Sequence, residues 1–405
     1  MWHAKECLIV LGILCLFDAT VAHLANAEVE KRILDHLFED DNYDHRVRPV
    51  TAHTHTGYLD DAVTVQVGVY VRLVYNVDDE HNVRQDPEFT SQVTVRQYWP
   101  DRRLNYGDRS KTDLGLSDED DLPEYVVVTP DRHIWKPDTF FPYQKTGYRV
   151  DLDTENTLIR VYRNGSTFYS TRLYLTTYCP MDLVLYPRDT QTCPFQIASY
   201  SYNSAHIKYE WRGDKPIELR ANAATLPDFD MVDVLPGSCS VATDTGHYSC
   251  LNMDFVFRRY TAFYHLHVFL PSAVIVALSF TQLWMPAHAF TSRMAISLAC
   301  IVLFVLQLFS AHIRAPIVSY LTAMDAWICA CYLFLFGSVV ELLLVRLITG
   351  GSGASDRDSS DLPVRAPHVS FIGMKLDNAE KLDRWSKVGF PIAFIAFILA
   401  YGIFW

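Results

Sequence analysis

Two arginines lie in short segments where apolar and polar residues alternate. Arg72 is part of VYVRL, and Arg96 is part of VTVRQYW. A guanidinium group binds a carboxylate through two parallel hydrogen bonds, and an aromatic face attracts an ammonium group. Arginines combined with aromatic residues therefore suit an amino-acid ligand. An arginine on a strand more often belongs to a solvated face, and patterning alone leaves both interpretations open.

The nine cysteines divide by their surroundings. Cys7 and Cys15 lie in the first apolar segment, and the apolar runs near the other end predict buried free thiols at Cys300, Cys329 and Cys331. The four that remain form two close pairs. Four cysteines allow three connectivities, of which pairing between neighbours is the most economical. These four cysteines are Cys179, Cys193, Cys239 and Cys250.

No motif indicates an enzyme, a cofactor or a metal site. The chain contains no phosphate-binding glycine loop, no Gly-x-Ser-x-Gly and no HExxH. His53 and His55 lie close together, but no cysteine or carboxylate set accompanies them. The net charge of −12 argues against a nucleic-acid partner, which selects a basic face.

The first residues predict a signal peptide. A short polar start is followed by the apolar run Cys7–Phe17 and by small residues at Ala22, Ala25 and Ala27. This order is typical of secretory signals, and the run is too short to span a bilayer. We therefore expect cleavage near residue 27 and an oxidising environment for the segments after it.

Alternating segments dominate residues 28–259. Val63–Leu73 has a valine at every second position from Val63 to Val71, and turn signals such as Asn164-Gly165 separate similar segments. Many half-buried strands over such a length predict an all-β sandwich. Asn164 begins an Asn-Gly-Ser sequon at one of these turns, which predicts N-glycosylation on a surface loop.

Four apolar runs come next, each long enough to cross a membrane: Tyr260–Met285, Thr291–Ala311, Tyr320–Leu347 and Val388–Trp405. The loop before the last run is rich in Gly and Ser and carries several basic residues, which predicts a cytoplasmic loop and both termini outside. The predicted division is a signal peptide at 1–27, an ectodomain at 28–259, three helices within 260–348, a loop at 349–385 and a fourth helix at 386–405.

Cys179 and Cys193 enclose thirteen residues, PMDLVLYPRDTQT. A cysteine pair with this spacing around an aromatic-Pro-x-Asp core resembles the signature of the Cys-loop family of ligand-gated ion channels. IWKPDTFF at Ile134–Phe141 resembles the family's first ligand loop, and Pro271 matches a proline of the first span. The resemblance covers nearly all of the chain after the signal. It implies an all-β extracellular sandwich followed by a four-helix transmembrane bundle, assembled as a homo- or hetero-pentamer.

Cys239 and Cys250 enclose ten residues ending in TGHYSC. This second pair resembles the extra disulfide of glycine receptors and is most similar to that of invertebrate glutamate-gated chloride channels. A disulfide here would stiffen a lid over a ligand site. In that branch, Arg72 and Arg96 match the arginines that hold glutamate's carboxylates. The implied ligand-binding residues are Arg72, Arg96, Ser170, Ser199, Tyr200, Thr245 and Tyr248.

The second span resembles the pore-lining helix of the family. Arg293 matches the arginine that closes the anion-channel motif, although Thr291 and Ser292 replace its proline and alanine. Five copies of Arg293 at the inner mouth would favour anions, whereas a helix-end arginine reaching for the interface is the alternative. Helical spacing predicts an apolar pore face that gates by dewetting. Its residues are Ala295, Ala299, Val302, Leu306, Phe309 and Ile313.

The resemblance also places a coupling region at the membrane surface. It comprises Tyr186, Pro187 and Asp189 of the Cys loop, Arg258 before the first span and the Arg314–Pro316 loop. We expect Asp189 to pair with an arginine there, although the sequence does not choose which.

The resemblance therefore implies a plasma-membrane, postsynaptic channel subunit. The expected partners are an amino-acid transmitter with glutamate favoured, chloride, lipid, and four identical or related subunits. About five extra residues at Asn82–Phe89 and the segment Phe141–Gln144 depart from the family pattern. A cation-selective or amine-gated channel of the same fold, or a non-conducting accessory subunit, therefore stays open.

Overall fold

The structure is a computed structural model of the 405-residue chain. Residues 1–25 of the predicted signal segment, His53 and His55, and residues 353–375 of the predicted loop lie outside the residues it describes. The described residues are 26–38, 43–50, 62–78, 87–111, 113–114, 116, 121–129, 132–286, 289–312, 316, 318–352 and 376–404.

The first described element is helix α1 at residues 26–38. Val29, Ile33 and Leu37 recur at every fourth position and are buried in the core of the β domain. After α1, the ectodomain is built of strands. They are β1 Val63–Asp78, β2 Glu88–Pro100, β3 Tyr125–Val128, β4 Thr139–Phe140, β5 Gln144–Arg149, β6 Thr157–Tyr162, β7 Ser166–Tyr178, β8 Thr190–Ser199, β9 Ile207–Trp211, β10 Ile217–Leu219, β11 Phe229–Ser238, β12 Val241–Thr243, β13 Gly246–Tyr248 and β14 Cys250–Arg259.

These strands form the predicted β-sandwich. One sheet has the order β10-β1-β2-β7-β6-β3, with β5 on β7 and β9 on β1, and the other has the order β11-β14-β8-β4. The alternating valines of β1, from Val63 to Val71, are 0–1% exposed and belong to the same core cluster as Phe195 and Phe255 of the second sheet. Alternation therefore decides which side of each strand is buried.

Among the described residues, four helices long and apolar enough to cross a membrane come after the sandwich. They are α2 Ala262–Trp284, α3 Phe290–His312, α4 Ala323–Ser352 and α5 Leu376–Phe404. Helix α4 continues to Ser352, and α5 begins at Leu376, so both extend into the segment predicted as a loop. Cys300 and Cys331 are buried, but Cys329 is exposed on the subunit surface, contrary to the prediction of a buried thiol.

Helix α2 widens into a π-helical turn at His265–Phe269, just before Pro271. Proline has no N–H to donate, and π turns commonly relieve such a break in the hydrogen-bond ladder. The carbonyl of Val268 accepts hydrogen bonds from Ser272 Oγ at 2.7 Å and from Gln307 Nε2 of α3 at 2.9 Å. The irregular turn therefore ties α2 to α3.

Candidate functional site

Arg96 and Ser170 face each other across two neighbouring strands. They are directly opposite in the antiparallel ladder of β2 and β7, and Arg96 is opposite Gly68 in the ladder of β1 and β2. Residues opposite each other in a ladder point to the same face of the sheet. The predicted pair therefore shares the outer face of the eight-stranded sheet.

Arg72 reaches this face because of a bulge in β1. Val71 pairs with Val93 and Leu73 pairs with Gln92, so no residue of β2 stands opposite Arg72. An extra residue shifts the alternation of a strand. The buried positions accordingly change from Val71 to Val74, and Arg72 lies outside the core.

Arg72 has no carboxylate partner among the described residues. Its Nε donates to Thr94 Oγ1 at 2.8 Å, and its guanidinium lies 5.2 Å from the centre of the Tyr70 ring. Burial, together with the neighbouring guanidinium of Arg172, holds the pKa of Arg72 below its ordinary value. An anion bound here would offset the unfavourable effect of burial and of Arg172 on the positive charge of Arg72.

Sequence reasoning missed Arg172, which also lies on this face. It is directly opposite Thr94 in the ladder, and its Nη2 donates to Gln92 Oε1 at 2.8 Å. Its buried Nε has no hydrogen-bond partner in the part of the chain that the structure describes. Arg172 could have been found from its position two residues after Ser170, because residues two apart on a strand point to the same face.

Tyr200 belongs to a different part of the subunit. It comes directly after β8, its side chain is 74% exposed, and its ring meets that of Phe140 edge-on at 5.4 Å. Ser199, next to it, is 2% exposed, and its hydroxyl has two partners. The hydroxyl donates to Asp138 Oδ1 at 2.5 Å and accepts from the Tyr202 N–H at 3.0 Å. Its hydroxyl therefore helps to hold the loop, and its role as a ligand residue stays a prediction.

Asp138, in the WKPD segment, was also missed by the sequence reasoning. In addition to Ser199, its carboxylate accepts the Ser201 N–H at 2.5 Å, and its backbone carbonyl accepts the Tyr200 N–H at 3.4 Å. A short carboxylate that accepts backbone N–H groups is a common way to hold a turn. Asp138 therefore holds the loop that presents Tyr200.

Thr245 and Tyr248 lie on the hairpin formed by β12 and β13. Their hydroxyls are 3.0 Å apart, and Thr245 Oγ1 is 2.9 Å from Thr243 Oγ1. The Cys239–Cys250 disulfide closes the base of this hairpin. The Ser204 N–H donates to the His247 carbonyl at 2.7 Å, which fastens the hairpin to the loop after Tyr200.

The predicted ligand residues thus form two groups. The arginine group (Arg72, Arg96 and Ser170) lies on the eight-stranded sheet. The tyrosine group (Tyr200, Thr245 and Tyr248) lies on the loop directly after β8 and on the β12–β13 hairpin. Within the described residues, no hydrogen bond or ring contact joins the two groups. One copy of the chain therefore presents the predicted ligand residues as two separate groups.

The other disulfide, Cys179–Cys193, closes the loop nearest the helices. The hydroxyl of Tyr186 donates to the Tyr264 hydroxyl of α2 at 2.8 Å, and its carbonyl accepts the Met324 N–H of α4 at 3.1 Å. Asp189 pairs with Arg259, whereas Arg258 pairs with Asp230 at 3.0 Å. The loop thus contacts two membrane helices. Arg259 is the arginine partner of Asp189 that the sequence alone could not identify. Of the predicted Arg314–Pro316 segment, only Pro316 is described.

The exposed face of α3 contains the predicted pore residues Ala295, Ala299, Val302 and Leu306, together with Phe309. Ile313 lies outside the described residues.

Arg293 differs from the prediction because it is fully buried. A residue two positions before Ala295 is about 200° away around an α-helix, on the opposite face. Arg293 Nη2 instead lies 3.0 Å from Asp383 of α5 and 3.4 Å from Glu341 of α4.

The predicted sequon lies at an exposed turn between β6 and β7. Gly165 has a φ of +81°, a conformation that glycine adopts readily. The Oδ1 atom of Asn164 accepts the Ser166 N–H at 3.0 Å, and the Asn164 side chain is exposed.

Comparison with known proteins agrees with this architecture. Residues 30–261 match the model of the neurotransmitter-gated ion-channel ligand binding domain, and residues 268–360 match the neurotransmitter-gated ion-channel transmembrane region. A β-sandwich of this kind above four membrane helices defines a receptor channel. The chain belongs to the neurotransmitter-gated ion channel family.

Three relatives show the breadth of the match. The glutamate-gated chloride channel of Drosophila melanogaster is 30% identical over 83% of this chain and 70% of that protein. The glutamate-gated chloride channel subunit beta of Haemonchus contortus is 32% identical over 78% of this chain and 70% of its own length. The glycine receptor subunit beta of Rattus norvegicus is 30% identical over 87% of this chain and 66% of its own length.

Proposed function

We propose that the chain is a subunit of an anion-selective channel that an extracellular amino acid opens, with L-glutamate as the favoured ligand. The observation that carries the proposal is the separation of the arginine group from the tyrosine group, which we treat as two half-sites of one ligand site. The arginine group of one subunit and the tyrosine group of the next would enclose a ligand between copies. Five identical or related subunits would provide such sites around a ring.

The chemistry of the two groups suits an acidic amino acid. Arg72 and Arg96 offer two guanidinium groups for carboxylates, and Tyr200 and Tyr248 offer aromatic faces for an ammonium group. The names of two relatives, glutamate-gated chloride channels, support the same assignment. Closure of the Cys239–Cys250 hairpin over the ligand would favour the open state in proportion to the ligand's greater affinity for it.

Anion selectivity rests on the charges of α3. The helix sequence from Phe290 to His312 contains no Asp or Glu, so it provides no ring of carboxylates for cations. Because Arg293 is buried against carboxylates, we assign the favourable field at the inner mouth to the N-terminal ends of five α3 helices. Chloride is the expected permeant ion.

The same proposal includes the position in the membrane. Both termini would face outside, with the segment between α4 and α5 in the cytoplasm, and the subunit would act in the postsynaptic plasma membrane. The basic residues flanking that segment support this orientation.

The test is whole-cell recording from cells that express the chain. We expect current in response to L-glutamate, with a reversal potential that follows the chloride gradient. Arg96→Ala should raise the half-maximal glutamate concentration by about 30-fold or more, since removing one partner of a charged contact commonly costs about 2–5 kcal/mol. A reversal potential that ignores chloride, or an unchanged glutamate response in Arg96→Ala, would contradict the proposal.

The apolar pore face favours a second candidate, a non-conducting accessory subunit. Val302, Leu306 and Phe309 are all exposed on α3 and would line a dry constriction in a homomer. In that case the chain alone would reach the cell surface and bind glutamate without current. Co-expression with a conducting relative would then change that relative's glutamate response.

A further inference from the structure

The carboxylate of Glu218 forms an ion pair with the guanidinium of Arg96. Arg96 Nη1 lies 3.0 Å from Glu218 Oε1, and the two side chains are 32% and 54% exposed. Arg72, the other arginine of the group, contacts a hydroxyl and a ring. The two arginines therefore differ in what a ligand carboxylate must displace.

The backbone explains how the two side chains meet. Arg96 is on β2 and Glu218 is on β10, and β1 lies between these strands. The residue of β1 opposite Arg96 is Gly68, and the residue of β1 opposite Glu218 is Tyr70. The side chain of Arg96 therefore crosses β1, where its guanidinium lies 5.6 Å from the centre of the Tyr70 ring.

We propose that Glu218 is an intramolecular competitor for the ligand carboxylate at Arg96, and that it sets the affinity of the site. The inference rests on the proposed function, because it concerns the same half-site. A carboxylate held at Nη1 competes for the guanidinium and removes one of the N–H groups that could bind a ligand carboxylate in bidentate fashion. Binding therefore exchanges the carboxylate of Glu218 for that of the ligand.

The exposure of the pair makes this exchange feasible. Exposed ion pairs contribute little net free energy, because water and salt screen both charges. A ligand that also reaches Arg72 gains a contact that Glu218 does not offer. Glu218 therefore lowers the affinity of the site without closing it.

The test measures binding of radiolabelled L-glutamate to membranes from cells that express the full chain. Glu218→Gln removes the competing charge with little change in shape, and we expect the dissociation constant to fall about two- to five-fold, the range of an exposed ion pair. Asp214→Asn is the matched control. Asp214 is also exposed and precedes β10, but it makes no ion pair with Arg96.

The control separates competition from a general loss of negative charge. An unchanged or raised dissociation constant in Glu218→Gln, or an equal fall in Asp214→Asn, would overturn the inference. Absence of glutamate binding in the wild-type chain would overturn the proposed ligand instead.

A second measurement needs no ligand. Phenylglyoxal reacts with accessible guanidinium groups, and peptide mass spectrometry can monitor its reaction with Arg96 in the detergent-solubilised full chain. We expect Arg96 to react at least about twice as fast in Glu218→Gln as in the wild type, since the exposed pair protects it only partly. Equal rates in the two proteins would show that Glu218 does not cover Arg96 and would overturn the inference in the absence of any transmitter.

Discussion

Arg259 and Asp189 form a two-point ion pair where the β domain meets the membrane helices. Arg259 Nε lies 2.7 Å from Asp189 Oδ1, Nη2 lies 3.0 Å from Oδ2, and the side chains are 2% and 1% exposed. The guanidinium also lies 4.8 Å from the centre of the Tyr186 ring. The last strand before the membrane is thus fastened to the loop that contacts α2 and α4.

Asp189→Asn should therefore destabilise the protein strongly. Removal of one partner leaves a buried, unpaired charge, which typically costs about 3–5 kcal/mol. We expect a large fall in the thermal unfolding temperature of the purified chain and weak surface expression. Asp230→Asn makes the same chemical change in the pair with Arg258, where the side chains are 62% and 42% exposed. The control should lose at most about 1 kcal/mol, and equal losses in the two variants would contradict this account.

Ser199→Ala tests whether Ser199 shapes the loop or contacts the ligand. Loss of its hydroxyl removes the hydrogen bonds to Asp138 Oδ1 and from the Tyr202 N–H, although Asp138 Oδ2 still accepts the Ser201 N–H. This loss should reduce the free energy of unfolding by about 1–3 kcal/mol even without ligand. Ser201→Ala is the control, because Ser201 is exposed and only its backbone N–H contacts Asp138. A large loss of glutamate affinity at unchanged thermal stability would instead indicate direct contact with the ligand.

The hairpin disulfide should matter for both stability and affinity. Replacing Cys239 and Cys250 together by serine frees a short loop, and such a cross-link contributes roughly 2–4 kcal/mol. We expect the half-maximal glutamate concentration to rise, because Thr245 and Tyr248 would lose their constrained position. Dithiothreitol should reproduce the effect in the wild type and leave the double variant unchanged. Dithiothreitol acting equally on both would assign the effect to Cys179–Cys193.

The buried position of Arg293 predicts that it does not determine ion selectivity by itself. The double variant Arg293→Gln/Asp383→Asn removes the cation together with one of its carboxylate partners. We expect weaker attachment of α5, seen as a lower thermal unfolding temperature, while the reversal potential still follows chloride. Loss of the chloride dependence in the double variant would instead indicate that Arg293 contributes to ion permeation.

The apolar pore face predicts a dewetting gate. Leu306→Thr places a hydroxyl in the constriction, which favours water there and should produce current without ligand. Leu333→Thr is the matched control on α4, where the leucine is also exposed on the subunit surface. Equal spontaneous current in both variants, or in neither, would contradict a gate at Leu306.

Much of the fold is determined by local patterns. Valines at alternating positions predict the buried side of β1, and four long apolar runs predict four helices, because both signals depend only on near neighbours in the chain. The spacing of the cysteines and their short separations similarly favoured the pairing that the structure contains. Helix α4 ends later and α5 begins earlier than the corresponding apolar runs, because polar residues can continue a helix beyond the membrane.

Less of the candidate site than of the fold could be predicted from the sequence. Arg72, Arg96 and Ser170 come from strands far apart in the chain, and only the resemblance to a family singled them out. Arg172 and Asp138 were missed because nothing in their local sequence shows which strand or loop lies beside them.

The sequence by itself thus determined the kind of protein: a β domain with two close cysteine pairs, followed by four membrane helices. Only the tertiary structure decided how the charges are paired. Arg259 instead of Arg258 meets Asp189, Glu218 lies against Arg96, and Arg293 faces two carboxylates instead of the pore. The physical reason is that burial and alternation are properties of one segment, whereas an ion pair requires two segments whose relative position depends on the whole packed fold.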